Sequence, residues 1–94
     1  IDVSFISLEK IFPFIHVFLK PSAFVIALVK PQFEVGKENV AKGGIVKNKS
    51  LYPVVIEKIK AAAEMNNLTY IEHIESPILG GDGNQEFLML LQKM

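Results

Sequence analysis

Six consecutive apolar residues, Phe24-Val25-Ile26-Ala27-Leu28-Val29, are closed by Lys30 and Pro31. A short unbroken run rich in Val and Ile reads as a strand covered on both faces, the pattern of parallel α/β sheets. Such sheets place ligands at the carboxyl ends of their strands. Lys30 therefore stands at a mouth, and Pro31, having no N–H, denies the strand a further ladder bond. An ammonium fixed there is either a structural cap or part of a working site.

The rest of the chain supplies the partners such a strand needs. Ile1-Asp2-Val3 resembles the last residues of a strand whose beginning lies upstream. Ser7 is placed to cap a helix reaching about Leu19, with Leu8, Ile11, Phe12, Ile15, Phe18 and Leu19 at helical spacing and Pro13 bending it or tightening its first turns. Lys20-Pro21-Ser22 then turns the chain into the apolar run. Strand, helix and strand in this order imply parallel neighbours joined by a right-handed crossover, half of a Rossmann-like motif.

Residues Pro31 to Lys49 hold four lysines and the pair Gly43-Gly44, and read as a long, partly mobile loop. Asn48 or Ser50 caps the next helix, which tolerates Pro53 in or near its first turn and buries Leu51, Val55, Ile59, Ala62 and Ala63. Asn66-Asn67 ends it. Leu68 to Glu75 alternates imperfectly, as a strand near a sheet edge does, and Glu86 to Gln92 is a denser apolar strand. The segment between them is too short for a helical crossover, so these two strands are expected to be antiparallel. Gly80-Gly81-Asp82-Gly83 lacks the spacing of a phosphate loop and reads as tight backbone before the last strand.

Composition narrows the function classes. Ninety-four residues, half of them apolar, make one domain or part of one. Ten lysines and no arginine balance ten acids, so no global field marks a dedicated nucleic-acid binder, and an anionic partner must be held by a local patch. The absence of cysteine excludes disulfides and thiolate chemistry and fits a cytoplasmic protein. Lys20-Pro21 divides the two apolar stretches, and neither approaches the roughly 20 residues that span a bilayer. His16 and His73 show no metal-ligand spacing, and no metal is expected. Phe12, Phe14, Phe18 and Phe24 read as core, whereas Phe5 and Phe33, beside Asp2 and Lys30, are placed to line a cofactor or base pocket.

Three charged side chains fall at strand ends: Asp2, Lys30 and Glu86. Two parallel strands end, and an antiparallel one begins, on the same side of a sheet, so the topology brings the three to one mouth. An acid-base-acid cluster drawn from three separated segments reads as a site, with a structural ion-pair network as the alternative.

Asp2-Val3-Ser4-Phe5-Ile6-Ser7-Leu8, Val29-Lys30-Pro31-Gln32-Phe33-Glu34, Gly43-Gly44-Ile45-Val46 and Gly83-Asn84-Gln85-Glu86-Phe87-Leu88 occur in this order along the chain. Together they resemble the TlyA (haemolysin A) family of FtsJ-like RNA methyltransferases, and the Val-Lys-Pro-Gln-Phe-Glu block is the most specific part. The resemblance implies the C-terminal half of a Rossmann-like class I fold, with parallel strands, crossover helices and a final antiparallel strand. Residues 1–94 would then be a partial methyltransferase domain. It also implies S-adenosylmethionine as cofactor and methylation of ribose 2′-hydroxyls in ribosomal RNA.

Of the family's Lys-Asp-Lys-Glu tetrad, Asp2, Lys30 and Glu86 match by motif, and the first Lys would lie upstream of Ile1. The early strands, the glycine-rich cofactor turn and the small N-terminal RNA-binding domain would lie upstream too, so this segment alone is expected to be inactive. The family's Lys-Pro-Gly-Gly turn is Lys20-Pro21-Ser22-Ala23 here. Asp2 and Phe5 are the expected cofactor contacts within the segment. Lys30 would orient the ribose hydroxyl and, when neutral, take its proton, with Asp2 and Glu86 fixing the amine and the substrate. Lys37, Lys42, Lys47 and Lys49 are expected to touch RNA phosphates, or else to be a solvated loop. A membrane-active, haemolysin-like protein is the alternative the family's name raises, and the interrupted apolar runs speak against it. A non-enzymatic half-domain is the other, in which an exposed parallel edge invites self-association.

Overall fold

The computed structural model describes residues 7–41, 43–78 and 83–94, with His16 and Lys37 as backbone only. The expected first strand, Ile1 to Val3, and its parallel pairing lie outside them.

Ser7 does cap the first helical segment, its hydroxyl accepting the Glu9 N–H at 3.1 Å. No single helix follows. The chain forms a 3-10 turn at Leu8–Lys10, a short α-helix α1 at Phe12–Ile15 and a second 3-10 turn at His16–Phe18. Pro13 has no N–H to carry a helix on from Leu8–Lys10, so a new helix starts around it, with Pro13 in the first turn, in place of one bent helix. Leu8 and Phe12 are buried, whereas Phe14, Phe18 and Phe24 are 70%, 85% and 64% exposed and are not the core residues expected. A turn at Lys20-Pro21-Ser22-Ala23, closed by the Ala23 N–H on the Lys20 carbonyl at 3.0 Å, leads into strand β1, Phe24–Val29.

The helix α2 runs over Tyr52–Met65. Its entry is a 3-10 turn at Lys49–Leu51 capped by Asn48, whose Oδ1 accepts the Ser50 N–H at 2.9 Å. Pro53 sits in the first turn, where its missing N–H costs nothing, and Asn67 leaves the helix at φ 62°. Its buried stripe is Val55, Ile56, Ile59, Ala62 and Ala63, so Ile56 takes the place expected of the half-buried Leu51.

Strands β2 (Leu68–Glu75) and β3 (Phe87–Lys93) pair antiparallel, as the short connection requires. The sheet order is β1-β3-β2. β3 pairs antiparallel with β1 as well, so β1 and β2 run in the same direction without touching as neighbours. Every pairing among the described residues is therefore antiparallel through β3, as expected of the final strand, while the expected parallel pair joins β1 to residues 1–3, outside the described residues. β3 takes the central place, its Phe87, Leu88, Met89, Leu90 and Leu91 being apolar on both faces.

One sheet face, with Val25, Ala27, Val29, Leu68, Phe87, Met89 and Leu91, packs against α2 together with Leu8 and Phe12 to make the core. On the other face Phe24, Ile26 and Ile74 remain 64%, 59% and 53% exposed, so β1 is covered on one side only by the described elements. The stretch from Pro31 to Lys49 is more ordered than a bare loop. It holds 3-10 turns at Pro31–Phe33 and Lys37–Asn39 and an antiparallel bridge between Val40 and Val46.

Candidate active site

The strand register fixes what meets at one end of the sheet. Val29 of β1 and Glu75 of β2 both pair with Phe87, the first residue of β3. Lys30, Ser76 and Glu86 are the next residues outward, at the carboxyl ends of β1 and β2, where α/β sheets hold ligands.

Lys30 is half-buried and extended, at φ −113° and ψ 96°, and opens the 3-10 turn Pro31–Phe33. Glu86 is 8% exposed. Its carbonyl accepts the Ser76 N–H at 2.8 Å and the Gln85 amide at 2.8 Å, which fixes its backbone. Its carboxylate accepts a 3.0 Å hydrogen bond from Gln32 Nε2. The turn after Lys30 thus reaches across the sheet end to Glu86. The other end of the same amide, Gln32 Oε1, is buried with no hydrogen-bond partner among the described residues.

Glu34, one residue beyond that turn, reaches the opposite way. It is 7% exposed, and its carboxylate accepts the Ser7 hydroxyl at 2.6 Å and the Leu8 N–H at 3.0 Å. Lys58 of α2 lies 3.5 Å from the Glu34 carboxylate and 3.3 Å from that of Glu9, and donates to the Glu34 carbonyl at 2.7 Å. A carboxylate held out of water needs such partners, and Glu34 has three.

Asn84 fastens the loop beside Glu86. It is 2% exposed, accepting the Val46 N–H at 2.9 Å and donating to the Gly44 carbonyl at 2.7 Å. Next to this end of the sheet an open groove of 430 Å³ is lined by Lys49, Tyr52, His73, Glu75 and Phe87. Its rings meet edge on, Tyr52 and Phe87 at 5.5 Å, and His73 accepts or donates a 2.7 Å bond with the Tyr70 hydroxyl.

Lys30 and Glu86 are brought to one end of the sheet, while Asp2 and Phe5 lie outside the described residues. Lys42 does also, and of Lys37 only the backbone in the Lys37–Asn39 turn is described. Lys47 and Lys49 are exposed; Lys47 donates to the Glu38 carbonyl at 3.1 Å and keeps two further N–H groups for solvent or a ligand. Gln32, Glu34, Lys58 and Asn84 were not among the expected site residues. Gln32 and Glu34 sit inside the Val-Lys-Pro-Gln-Phe-Glu block, and Asn84 two residues before Glu86, so closeness to the expected residues was the available signal. Among the described residues no helix is long and apolar enough to cross a membrane, and no group of three or more His, Cys, Asp or Glu could hold a metal ion.

Comparison with known proteins bears on this arrangement. Residues 1–93 match the FtsJ-like methyltransferase family. YqxC of Bacillus subtilis is 44% identical over 91 residues, covering 97% of this chain and 32% of its own length. The 16S/23S rRNA (cytidine-2′-O)-methyltransferase TlyA of Mycobacterium tuberculosis is 34% identical over 91 residues, covering 97% of this chain and 34% of its own. A crystal structure from Lactococcus lactis superimposes with a TM-score of 0.93 at 42% identity, over 99% of this chain and 44% of that one. The chain thus spans about a third of the length of these curated relatives. It belongs to the FtsJ-like methyltransferase family, within its TlyA (hemolysin A) group.

Proposed function

We propose that this segment forms the Lys30 and Glu86 side of the active site of a ribosomal RNA ribose 2′-O-methyltransferase that uses S-adenosylmethionine. The observation that carries the reading is the juxtaposition of Lys30 and Glu86 at the carboxyl ends of β1 and β2, joined through Gln32, in a chain matched to the family over residues 1–93. Because the segment spans about a third of its relatives' length, the activity is assigned to a longer protein that contains it.

The cofactor fits this end only in part. The described residues offer a buried carboxylate and a half-buried ammonium, groups suited to a hydroxyl nucleophile. S-adenosylmethionine supplies an electrophilic methyl group. Its contacts fall to residues outside those described, Asp2 and Phe5 among them. Lys30 holds the ribose hydroxyl in line and accepts its proton when neutral, the step a weak nucleophile needs near neutral pH. Glu86, fixed by Gln32, orients that amine and the substrate. Lys47 and Lys49 supply cations for RNA phosphates beside the site.

The full-length protein, incubated with S-adenosylmethionine and 16S or 23S rRNA, is expected to leave one ribose methyl that blocks alkaline cleavage at that nucleotide. Methylation of a base, with the backbone still alkali-sensitive there, would overturn the ribose assignment.

A further inference from the structure

The 3-10 turn after Lys30 makes two side-chain connections in opposite directions. Gln32 reaches forward 54 positions to the Glu86 carboxylate, and Glu34 reaches back 27 and 26 positions to Ser7 and Leu8, the residues that directly follow the segment carrying Asp2. Lys58 on α2 anchors the second arm by holding both the backbone and the carboxylate of Glu34.

The Gln32 arm is held at a cost that its local packing does not explain. Its Oε1 is buried without a hydrogen-bond partner among the described residues, a state that folded proteins rarely keep. Turning the amide over would set that oxygen against the Glu86 carboxylate, so the orientation is forced by the bond to Glu86. Methionine, of similar length, would fill the same space without an orphaned acceptor. What the amide adds over methionine is the placement of Glu86.

We propose that Gln32 and Glu34 are positioning residues of the methyl-transfer site, acting as a two-armed brace that sets Glu86 and the turn at Ser7-Leu8 against Lys30. This rests on the reading of the site given above. Neither residue need touch the substrate. Gln32 acts through Glu86, and Glu34 through Ser7 and Leu8.

The test uses the full-length protein with S-adenosylmethionine and ribosomal RNA. Gln32→Met is expected to lower kcat per folded molecule at least tenfold with both KM values within twofold, whatever stability is lost when the buried Glu86 carboxylate gives up this hydrogen bond. A fall in melting temperature with kcat per folded molecule unchanged would make Gln32 structural and overturn its role. Glu34→Gln is expected to lower kcat per folded molecule, and unchanged turnover would remove the second arm. If Gln32→Met folds poorly, Gln32→Leu serves in its place. A crystal structure of the Gln32 variant supplies a readout independent of turnover: Glu86 is expected to leave its wild-type rotamer, and an unmoved Glu86 would overturn the brace. A wild-type protein inactive on ribosomal RNA would instead overturn the site reading itself.

Discussion

Asn84 uses both ends of its carboxamide on one loop, accepting from Val46 and donating to Gly44, and it is buried while doing so. Removing it leaves the buried Val46 N–H without its partner, a loss of about 1–3 kcal/mol by the usual cost of an orphaned buried donor. Asn84→Ala is therefore expected to lower the unfolding free energy read from a denaturant titration by that amount, with Asn84→Asp, which keeps the acceptor, falling between. A change below about 0.5 kcal/mol would mean that the loop is held by other contacts. At this scale the sequence was informative about charge and silent about hydrogen bonds. That Lys30 and Glu86 meet at one end of the sheet was legible because each is a charge at the end of an apolar run. Asn84, Gln32 and Glu34 were not, because a polar residue in a loop looks the same in sequence whether it is solvated or clasped by a partner 26 to 54 positions away.

Elements were read more reliably than their neighbours. β1 and β2 have the expected limits, since the apolar run of β1 is closed by Lys30-Pro31 and the imperfect alternation of β2 opens after Asn66-Asn67. The segment after Ser7 was misread because its apolar spacing is helical while Pro13 is not, and the local breaker prevailed. The order β1-β3-β2 could not be read from periodicity, which reports faces and not neighbours. One turn gives a test at this scale. Ser22 sits at φ 67° in the third position of a turn with Pro21 before it, the type II arrangement that favours glycine. A left-handed non-glycine residue costs roughly 1–2 kcal/mol, and glycine's extra freedom in the unfolded chain returns about 0.5–1 of it. Ser22→Gly is thus expected to raise stability by roughly 0.5–1 kcal/mol, seen as a higher melting temperature. The backbone bonds of this residue, to Lys93 and from Gln92, need no side chain and remain. A lower melting temperature would contradict the turn geometry.

For the molecule as a whole, a single core among the described residues organises the chain around one end of the sheet. α2 and the segment from Leu8 to Phe12 cover one face of the sheet, and β3, entering between β1 and β2, carries Glu86 to the place where β1 delivers Lys30. The opposite face stays apolar and exposed at Phe24 and Ile74, in a segment that spans about a third of its relatives' length. The central claim is that this end of the sheet performs methyl transfer through Lys30. The direct measurement is the single-turnover rate of methyl transfer to ribosomal RNA by the full-length protein and its Lys30→Ala variant, with S-adenosylmethionine affinity measured on both by calorimetry. The account predicts that transfer is lost in the variant while cofactor affinity stays within a few-fold. Transfer retained at the wild-type rate by Lys30→Ala would contradict it.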